Sequence, residues 1–410
     1  MTDVELRPID LAELPGFYRT LAETFGEDSR DDDRELFAQT FEAERSIAAF
    51  DGGEVVGTAG AYSLQMTLPG GPRPVAGVTI VGVLPTHRRR GVLTEMMRRQ
   101  LTELHERQRE PVAALWASEG GIYGRFGYGV AAWQVGMTGD KTRMRLRPGT
   151  PTGSGRVVLA SPKQARPQEV SVYEQVRPAT VGFLARSGKW WDRAFYDGEH
   201  VRGGATARRH ALYTEQDGMV TGYLTYRLKS EWTPARNDSE VRVLDLLATT
   251  PAAYAALWAY VASIDLHPRL RKDRSPLDDP VLHLLADARA LRPELYDSLW
   301  IRLADVGRGL AARTYSTPVD VVFEVADDFC PWNAGRWRLS GDESGATCEP
   351  STDPPDLALT AADLGSVHLG GPTLVGLAAA GRVEERTPGA VGAVSRAFAG
   401  DRQPWCPEVF

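Results

Sequence analysis

Three stretches of the chain carry residue types and spacings that could do chemistry. The first is GGIYGRFGYG, residues 120–129, which spends five of ten positions on glycine and holds two tyrosines, Tyr123 and Tyr128. A phenol with an ordinary pKa of about 10 can donate a proton to a departing thiolate, so either ring could act as a general acid. Tyr128 opens the following strand and reads as a core aromatic. Tyr123 lies early in the turn, and its spacing alone leaves it open between acid and core. The second stretch is RRRGVL, residues 88–93. A turn that opens a helix exposes backbone N–H groups at the positive end of the dipole, and a glycine there lets an anion such as a pyrophosphate approach closely. Gly91 is placed for that approach, while the bland reading of Arg88, Arg89 and Arg90 is a solvated helix start. The third is the tail PWCPEVF, residues 404–410. Trp405, Val409 and Phe410 could anchor it, and Pro404 and Pro407 lower the entropy lost on docking; most chain ends, by contrast, fray. The first unit offers no obvious histidine as base: His87 lies inside the arginine turn, and His105 falls on the exposed stripe of a helix.

The elements that must hold these residues follow from periodicity. Residues 12–50 read as helical segments ending in the strand SIAAF. EVVGTAGAYSLQMTLPGG reads as the first arm of a hairpin with its turn at Pro69 to Gly71. VAGVTIVGVLP is a buried strand stopped by Pro85. Val92, Leu93, Met96, Met97, Leu101 and Leu104 recur at helical spacing, which makes an amphipathic helix of the segment after the arginines. PVAALWAS is a further buried strand, so the first unit, residues 1–145, is expected to be mixed α/β. The linker LRPGTPTGSGR begins a second unit, 146–298, in which DGMVTGYLTYR echoes DGGEVVGTAGAY and VRVLDLLATTPAAYAALWAYV echoes the strand and helix around the arginines. A duplicated domain is expected whose second copy has lost the arginines and the glycine. A third unit, 299–410, opens with WIRLADV and reads as α+β with an antiparallel sheet.

Composition excludes several classes. The 410 residues are 42% hydrophobic and 25% charged, an ordinary globular mixture, with a net charge of −7 that disfavours a nucleic-acid binder. The opening MTDVELRPIDLAELPG lacks the basic start and apolar run of a leader, and no apolar stretch approaches 18 residues, so a cytoplasmic protein without a membrane partner is expected. Cys330, Cys348 and Cys406 form no CxxC pair and no metal spacing, so no metal is expected. The run EDSRDDDRE, residues 27–35, is either a solvated surface or an electrostatic rim for cationic substrates.

The turn Arg88, Gly91, Leu93 after a strand and before an amphipathic helix resembles the acetyl-CoA signature of the GNAT acyltransferases, Arg/Gln-x-x-Gly-x-Gly/Ala, with Leu93 departing from the usual small residue. VxPTHRRRG and SEGGIYGRFGYG narrow the resemblance to the Eis-type N-acetyltransferases, and two GNAT-like halves followed by a sterol-carrier-like domain cover essentially the whole chain. The resemblance implies that acetyl-CoA is the cosubstrate, held by Val81, Gly82 and Val83 on the strand and by Arg88 through Leu93, with Val92 inside the turn and Ser118 along the wall. It implies Tyr123 as general acid and the terminal carboxylate of Phe410 as general base. Glu27 and Phe37 fall where the family lines its acceptor pocket, and Trp116 would narrow it. Acceptors of aminoglycoside or polyamine type, or lysine side chains, and a homohexamer are implied. Here the penultimate residue is Val409 with Glu408 one step earlier, so an acidic contact to substrate is expected to be lost or moved. A non-catalytic acetyl-CoA sensor or a lipid carrier built on the same domains is the alternative. The acceptor itself is not legible from these motifs.

Overall fold

The structure, a computed structural model, describes residues 4–410; the first three residues of the opening stretch read above for a leader lie outside them. The first unit contributes β1 (Glu5–Arg7), α1 (Leu14–Phe25), α2 (Asp31–Thr40), β2 (Ser46–Asp51), β3 (Glu54–Leu68), β4 (Gly71–Val83), α3 (Val92–Glu106), β5 (Val112–Trp116) and β6 (Gly129–Val130). The hairpin between β3 and β4 turns at Pro69 and Gly70, where Gly70 has φ 94° and Gly71 φ 120°, conformations that a side chain would strain. Pro85 stops β4 and begins a short 3₁₀ turn. Helix α3 buries Val92, Met96, Met97, Leu101 and Leu104, the stripe its periodicity predicts.

The chain continues through β7 (Trp133–Asp140), β8 (Arg156–Ala160), α4 (Pro162–Val176), α5 (Gly188–Phe195), β9 (Arg209–Thr214), β10 (Val220–Lys229), β11 (Glu240–Ala248), α6 (Pro251–Ser263), β12 (Arg269–Pro276), β13 (Leu291–Asp297) and β14 (Leu299–Leu303). The two seven-stranded sheets run β1-β2-β3-β4-β5-β14-β6 and β8-β9-β10-β11-β12-β7-β13. The duplication is thus visible strand for strand: each sheet has one parallel pair, β4 with β5 and β11 with β12, followed by an antiparallel sixth strand.

That sixth strand is exchanged. β7, assigned by proximity to the first unit, pairs with β12 and β13 of the second sheet. β14, read as the start of the third unit, pairs with β5 and β6 of the first. The boundaries at 145 and 298 therefore cut across both sheets. Strand pairing is non-local, and two short apolar strands that each flank a β-α-β crossover carry no local mark of which sheet they join.

The third unit pairs β15 (Val319–Ala326), β16 (Gly335–Asp342), β17 (Gly345–Pro350), β18 (Leu357–Thr360) and β19 (Glu384–Glu385) in the order β17-β16-β15-β18-β19, antiparallel except for β15 with β18. It packs on the first unit. One buried cluster joins Tyr62, Leu64, Met66, Ile301 and Leu303 to Phe323, Leu364 and Phe398. Arg302 and Asp327, at 2.6 Å and essentially without exposure, form an ion pair across the same junction. No helix is long and apolar enough to cross a membrane among the described residues.

Candidate active site

The parallel pair β4 and β5 is registered only at Ala76 with Ala113 and Gly77 with Ala114; beyond these residues the strands part. Just past that point β4 carries a bulge. Thr58 of β3 faces Gly82 and Gly60 faces Thr79, so Ile80 and Val81 together oppose Ala59. Ile80 takes φ 51°, rare for a β-branched residue, and the Thr58 hydroxyl donates to its carbonyl at 2.7 Å. The bulge leaves Ile80 and Val81 without one-to-one partners in the β3 ladder. Gly82 serves packing: a β-carbon there would lie 2.3 Å from Thr24 of α1. Val83 is buried, and its carbonyl accepts from Arg88 Nε at 3.1 Å.

That bond folds the arginine turn back on its strand. Arg88, Arg89, Arg90 and Gly91 are exposed, and both Arg89 (φ 63°) and Gly91 (φ 86°) are left-handed. Gly91 caps α3 with no side-chain cap, and open space surrounds its missing β-carbon. The first-turn amides of α3, at Val92 and Leu93, lack intrahelical partners as at every helix start. The Val92 side chain is buried beneath the turn and Leu93 is half-buried. His87 is engaged with Asp51, 3.0 Å from its Nε2. His105 is not on an open stripe: its ring stacks on Trp332 of the third unit at 4.6 Å.

The glycine-rich turn after β5 brings Tyr123 under the sheet. Its ring is buried, it meets Tyr128 edge-on at 5.9 Å, and burial pushes its phenol up to about 12. No hydrogen bond among the described residues engages its hydroxyl. Tyr128 is fully buried beside Arg302, with its hydroxyl sealed and unpartnered among the described residues, and burial drives its phenol far above its ordinary value; it is a core aromatic. Ser118 is exposed at the start of the turn, and Trp116 is half-buried at the end of β5.

Side-chain alternation then sorts the residues by face. Ala76 and Val78 of β4 and Ala113 and Leu115 of β5 share a cluster with Tyr123 and with Met97, Leu101 and Leu104 of α3. Val75, Val112 and Ala114 point the other way, into the cluster that holds Tyr62, Leu64 and Phe410. Phe410 is 7% exposed, and a β-carbon on Gly77 would lie 3.2 Å from its ring. Tyr123 and Phe410 thus flank the parting of β4 and β5 from opposite faces. A glycine within a buried strand is the legible sign of such a close approach, and Gly77 is one the motifs alone do not single out.

The tail is anchored on the way. Trp405 N–H donates to the Val181 carbonyl at 2.9 Å, and the Trp405 ring packs in a cluster with Tyr173, Phe183 and Trp191. Of the two expectations for the acidic contact, lost or moved, Glu408 does not take it up: it pairs with Arg186 at 2.7 Å, both nearly buried. Arg186 lies over Tyr173 and Trp191, and nothing in its sequence context announced it.

On the acceptor side Glu27 is exposed just after α1 ends at Phe25 with Gly26 as its cap. Phe37 is not an open wall residue; it is buried between Tyr18 and Phe41, at 5.3 and 5.1 Å, beneath α2. The acidic run splits: Asp31, Asp32 and Asp33 form the first turn of α2, where the dipole favours them. Asp32 and Asp33 accept from Tyr196 and meet His200, tying α2 to the second unit at 3.1 and 2.9 Å. These two acids and His200 are close enough together to hold a metal ion, but each already serves that tie.

Residues 5–131 and 182–303 each match the acetyltransferase (GNAT) domain, and residues 306–407 match the sterol carrier protein domain. An uncharacterized N-acetyltransferase of Streptomyces avermitilis is 46% identical over 396 residues, 96% of each chain. The N-acetyltransferase Eis of Mycobacterium tuberculosis is 35% identical over 362 residues, 85% of this chain and 84% of its own. The crystal structure of Eis1 from Mycobacterium abscessus superposes with a TM-score of 0.83 at 33% identity, covering 99% of this chain and all of that one.

Proposed function

Because the chain belongs to the Eis family of GNAT-type N-acetyltransferases, we propose that it moves an acetyl group directly from acetyl-CoA to an amine on a polycationic small molecule or a lysine side chain. What supports this reading most is the placement of a phenol and a chain end on opposite faces of one opening in the sheet. Acetyl-CoA would approach from the α3 face, where the open turn at Arg88 to Leu93 presents main-chain N–H groups and three arginines to a pyrophosphate. The bulge at Val81 would offer its main-chain groups to the pantetheine arm and an amide to the thioester carbonyl, stabilising the charge that develops there.

The amine would enter from the Phe410 face. As its nitrogen attacks the thioester carbon, the N–C bond forms, the nitrogen turns acidic, and the Phe410 carboxylate accepts its proton. Collapse of the tetrahedral species breaks the C–S bond, and Tyr123 donates its phenolic proton to the sulfur. Burial raises the phenol's pKa, so Tyr123 is fully protonated at neutral pH when the thiolate forms. Each group returns to its starting state when the phenolate regains a proton from solvent and the carboxylate releases one. A cationic acceptor fits the overall charge of −7 and the exposed Glu27 near the end of α1.

Thiol release from acetyl-CoA, followed across a panel of diamines, polyamines, aminoglycosides and lysine peptides, tests the reading. Release above the hydrolytic background with at least one polyamine-like acceptor is expected. No release with any amine, while coenzyme A still binds by calorimetry, would favour a non-catalytic sensor or carrier.

A further inference from the structure

The second half has kept the GNAT-like sheet but not the means to hold an acyl donor. Where the first half has three arginines and an open glycine, the second has Thr249, Thr250 and Pro251; the Thr250 hydroxyl accepts from Ala253 N–H and closes the start of α6. Yet its corresponding cleft is not idle. β11 and β12 pair in parallel up to Val243 with Lys272 and then part, as β4 and β5 do. The C-terminal tail lies across this place, with the Trp405 ring 5.3 Å from the Lys272 ammonium.

Several features of the second half are contacts for that tail. Gly182 has φ 98°, and a β-carbon on it would lie 2.7 Å from the Trp405 carbonyl oxygen, so the position tolerates glycine alone. Phe183 meets the Trp405 ring at 5.3 Å. Arg186, held between Tyr173 and Trp191, receives the Glu408 carboxylate. A cavity of about 320 Å³ adjoins this ion pair, walled by the tail itself and by Arg193, Arg208, Arg227 and Arg274, with Glu169, Asp245 and Asp273 among them. The receiving segment is also fixed relative to the first half. Gly182 N–H donates to Thr67 O, Thr67 N–H to Phe183 O, and Ala185 N–H to Gln65 O, each at 2.8 Å, next to Leu64, which touches the same Gly77 position as Phe410.

We infer that the second half acts as the receptor for the chain end, with Arg186 as the positioning residue that sets the Phe410 carboxylate at the opening between β4 and β5. Two residues separate the Arg186 and Glu408 clamp from the chain end, so the clamp limits how far the terminal carboxylate can move. This rests on the reading of Phe410 as the base. The Arg186 side chain acts through Glu408 and touches neither substrate nor donor.

The test uses the full chain with R186Q, E408Q, the double variant and R186K, and measures kcat, KM for acetyl-CoA, coenzyme A affinity and the pH dependence of kcat. R186Q and E408Q are each expected to lower kcat at least tenfold at neutral pH with coenzyme A affinity within twofold. The double variant should be no worse than the poorer single one, because both break the same contact, and R186K should recover part of the loss. With the base displaced, kcat should keep rising with pH toward the amine's own deprotonation instead of levelling off, which a loss of stability alone would not produce. Since a variant at this buried pair could fail to fold, one glycine inserted between Glu408 and Val409 provides a second route: it leaves the clamp whole and shifts the end by about 3.5 Å, and it should lower kcat by a similar factor. Wild-type kcat and pH profile in R186Q and E408Q, or in the insertion variant, overturn the inference. Deletion of Phe410 separates this failure from that of the parent reading: if the deletion is inactive while R186Q is fully active, only the role of Arg186 falls; if the deletion is fully active, both fall.

Discussion

Replacing Phe410 by alanine keeps a carboxylate at the chain end but removes what seats it. The ring is buried against Gly77 and Leu64, and a buried Phe to Ala change typically costs about 3–5 kcal/mol. The tail up to Glu408 is held independently by Trp405 and Arg186, so the ring has to order only Val409 and residue 410. Fixing two backbones costs about 2–4 kcal/mol. In the wild type the ring outweighs that cost by roughly 1 kcal/mol, taking the midpoints of both ranges. In F410A the ordering cost stands unopposed, and at about 1.4 kcal/mol per decade the docked population falls roughly 30- to 700-fold. If the carboxylate is the base, kcat falls by that factor, while stability drops only by the lost surplus. Thiol-release kinetics at saturating substrates and thermal melting of the same sample read the two quantities. A kcat within threefold of wild type would refute the argument, as would a large fall in melting temperature in proportion to the activity lost.

Three other perturbations probe separate parts. Y123F removes the proton donor and should lower kcat by about 10²–10⁴ with little change in coenzyme A binding; calorimetry and thiol release check this. Because burial holds the Tyr123 phenol near 12, above its unfolded value of about 10, its contribution to stability is complete below pH 10 and is lost as pH rises through 12. Y123F should therefore flatten that alkaline loss in a melting series. G91A places a side chain in open space but at φ 86°, a strain of about 1–2 kcal/mol; the KM for acetyl-CoA should rise severalfold while kcat at saturation is retained. D327N leaves Arg302 buried without its counter-charge and should cost about 3–5 kcal/mol of stability by denaturant titration, with the affinity for coenzyme A nearly unchanged in the folded fraction.

What the sequence disclosed was local. The stripe of α3, the Pro-Gly turn of the hairpin, Pro85 as a stop and the glycine cap of the arginine turn each follow from propensities that act within a few residues. The duplication was readable because the same local pattern occurs twice. What stayed hidden was pairing at a distance. β7 and β14 look alike as isolated strands, and only their partners 129 or more residues away decide their sheet. The burial of Phe37 under α2 depends on Tyr18 from α1, and the fate of Glu408 depends on an arginine 222 residues earlier. Gly77 and Gly182 are partial exceptions, since a glycine in a well-formed segment signals a close neighbour without naming it.

The exchanged strands also bear on why the second half persists after losing its arginine turn. β5, one wall of the opening, has β4 beside it for only two registered pairs, whereas β14 covers all five of its residues, from Trp116 with Leu299 to Val112 with Leu303. β14 therefore carries most of the hydrogen bonding that holds the far wall in place while its near edge stands open. The chain reaches β14 only by passing through the whole second sheet, and that sheet in turn needs β7 from the first. Neither half completes its own sheet. A substitution that weakens β7 packing in the second sheet, such as M137A at a fully buried position, should cost about 2–5 kcal/mol. Because the sheets share strands, its unfolding should remain one transition that includes the donor site, so calorimetry should show the coenzyme-binding half melting with the second sheet. A melt in which the first sheet survives that variant unchanged, still binding coenzyme A, would mean that the exchange does not couple the two halves.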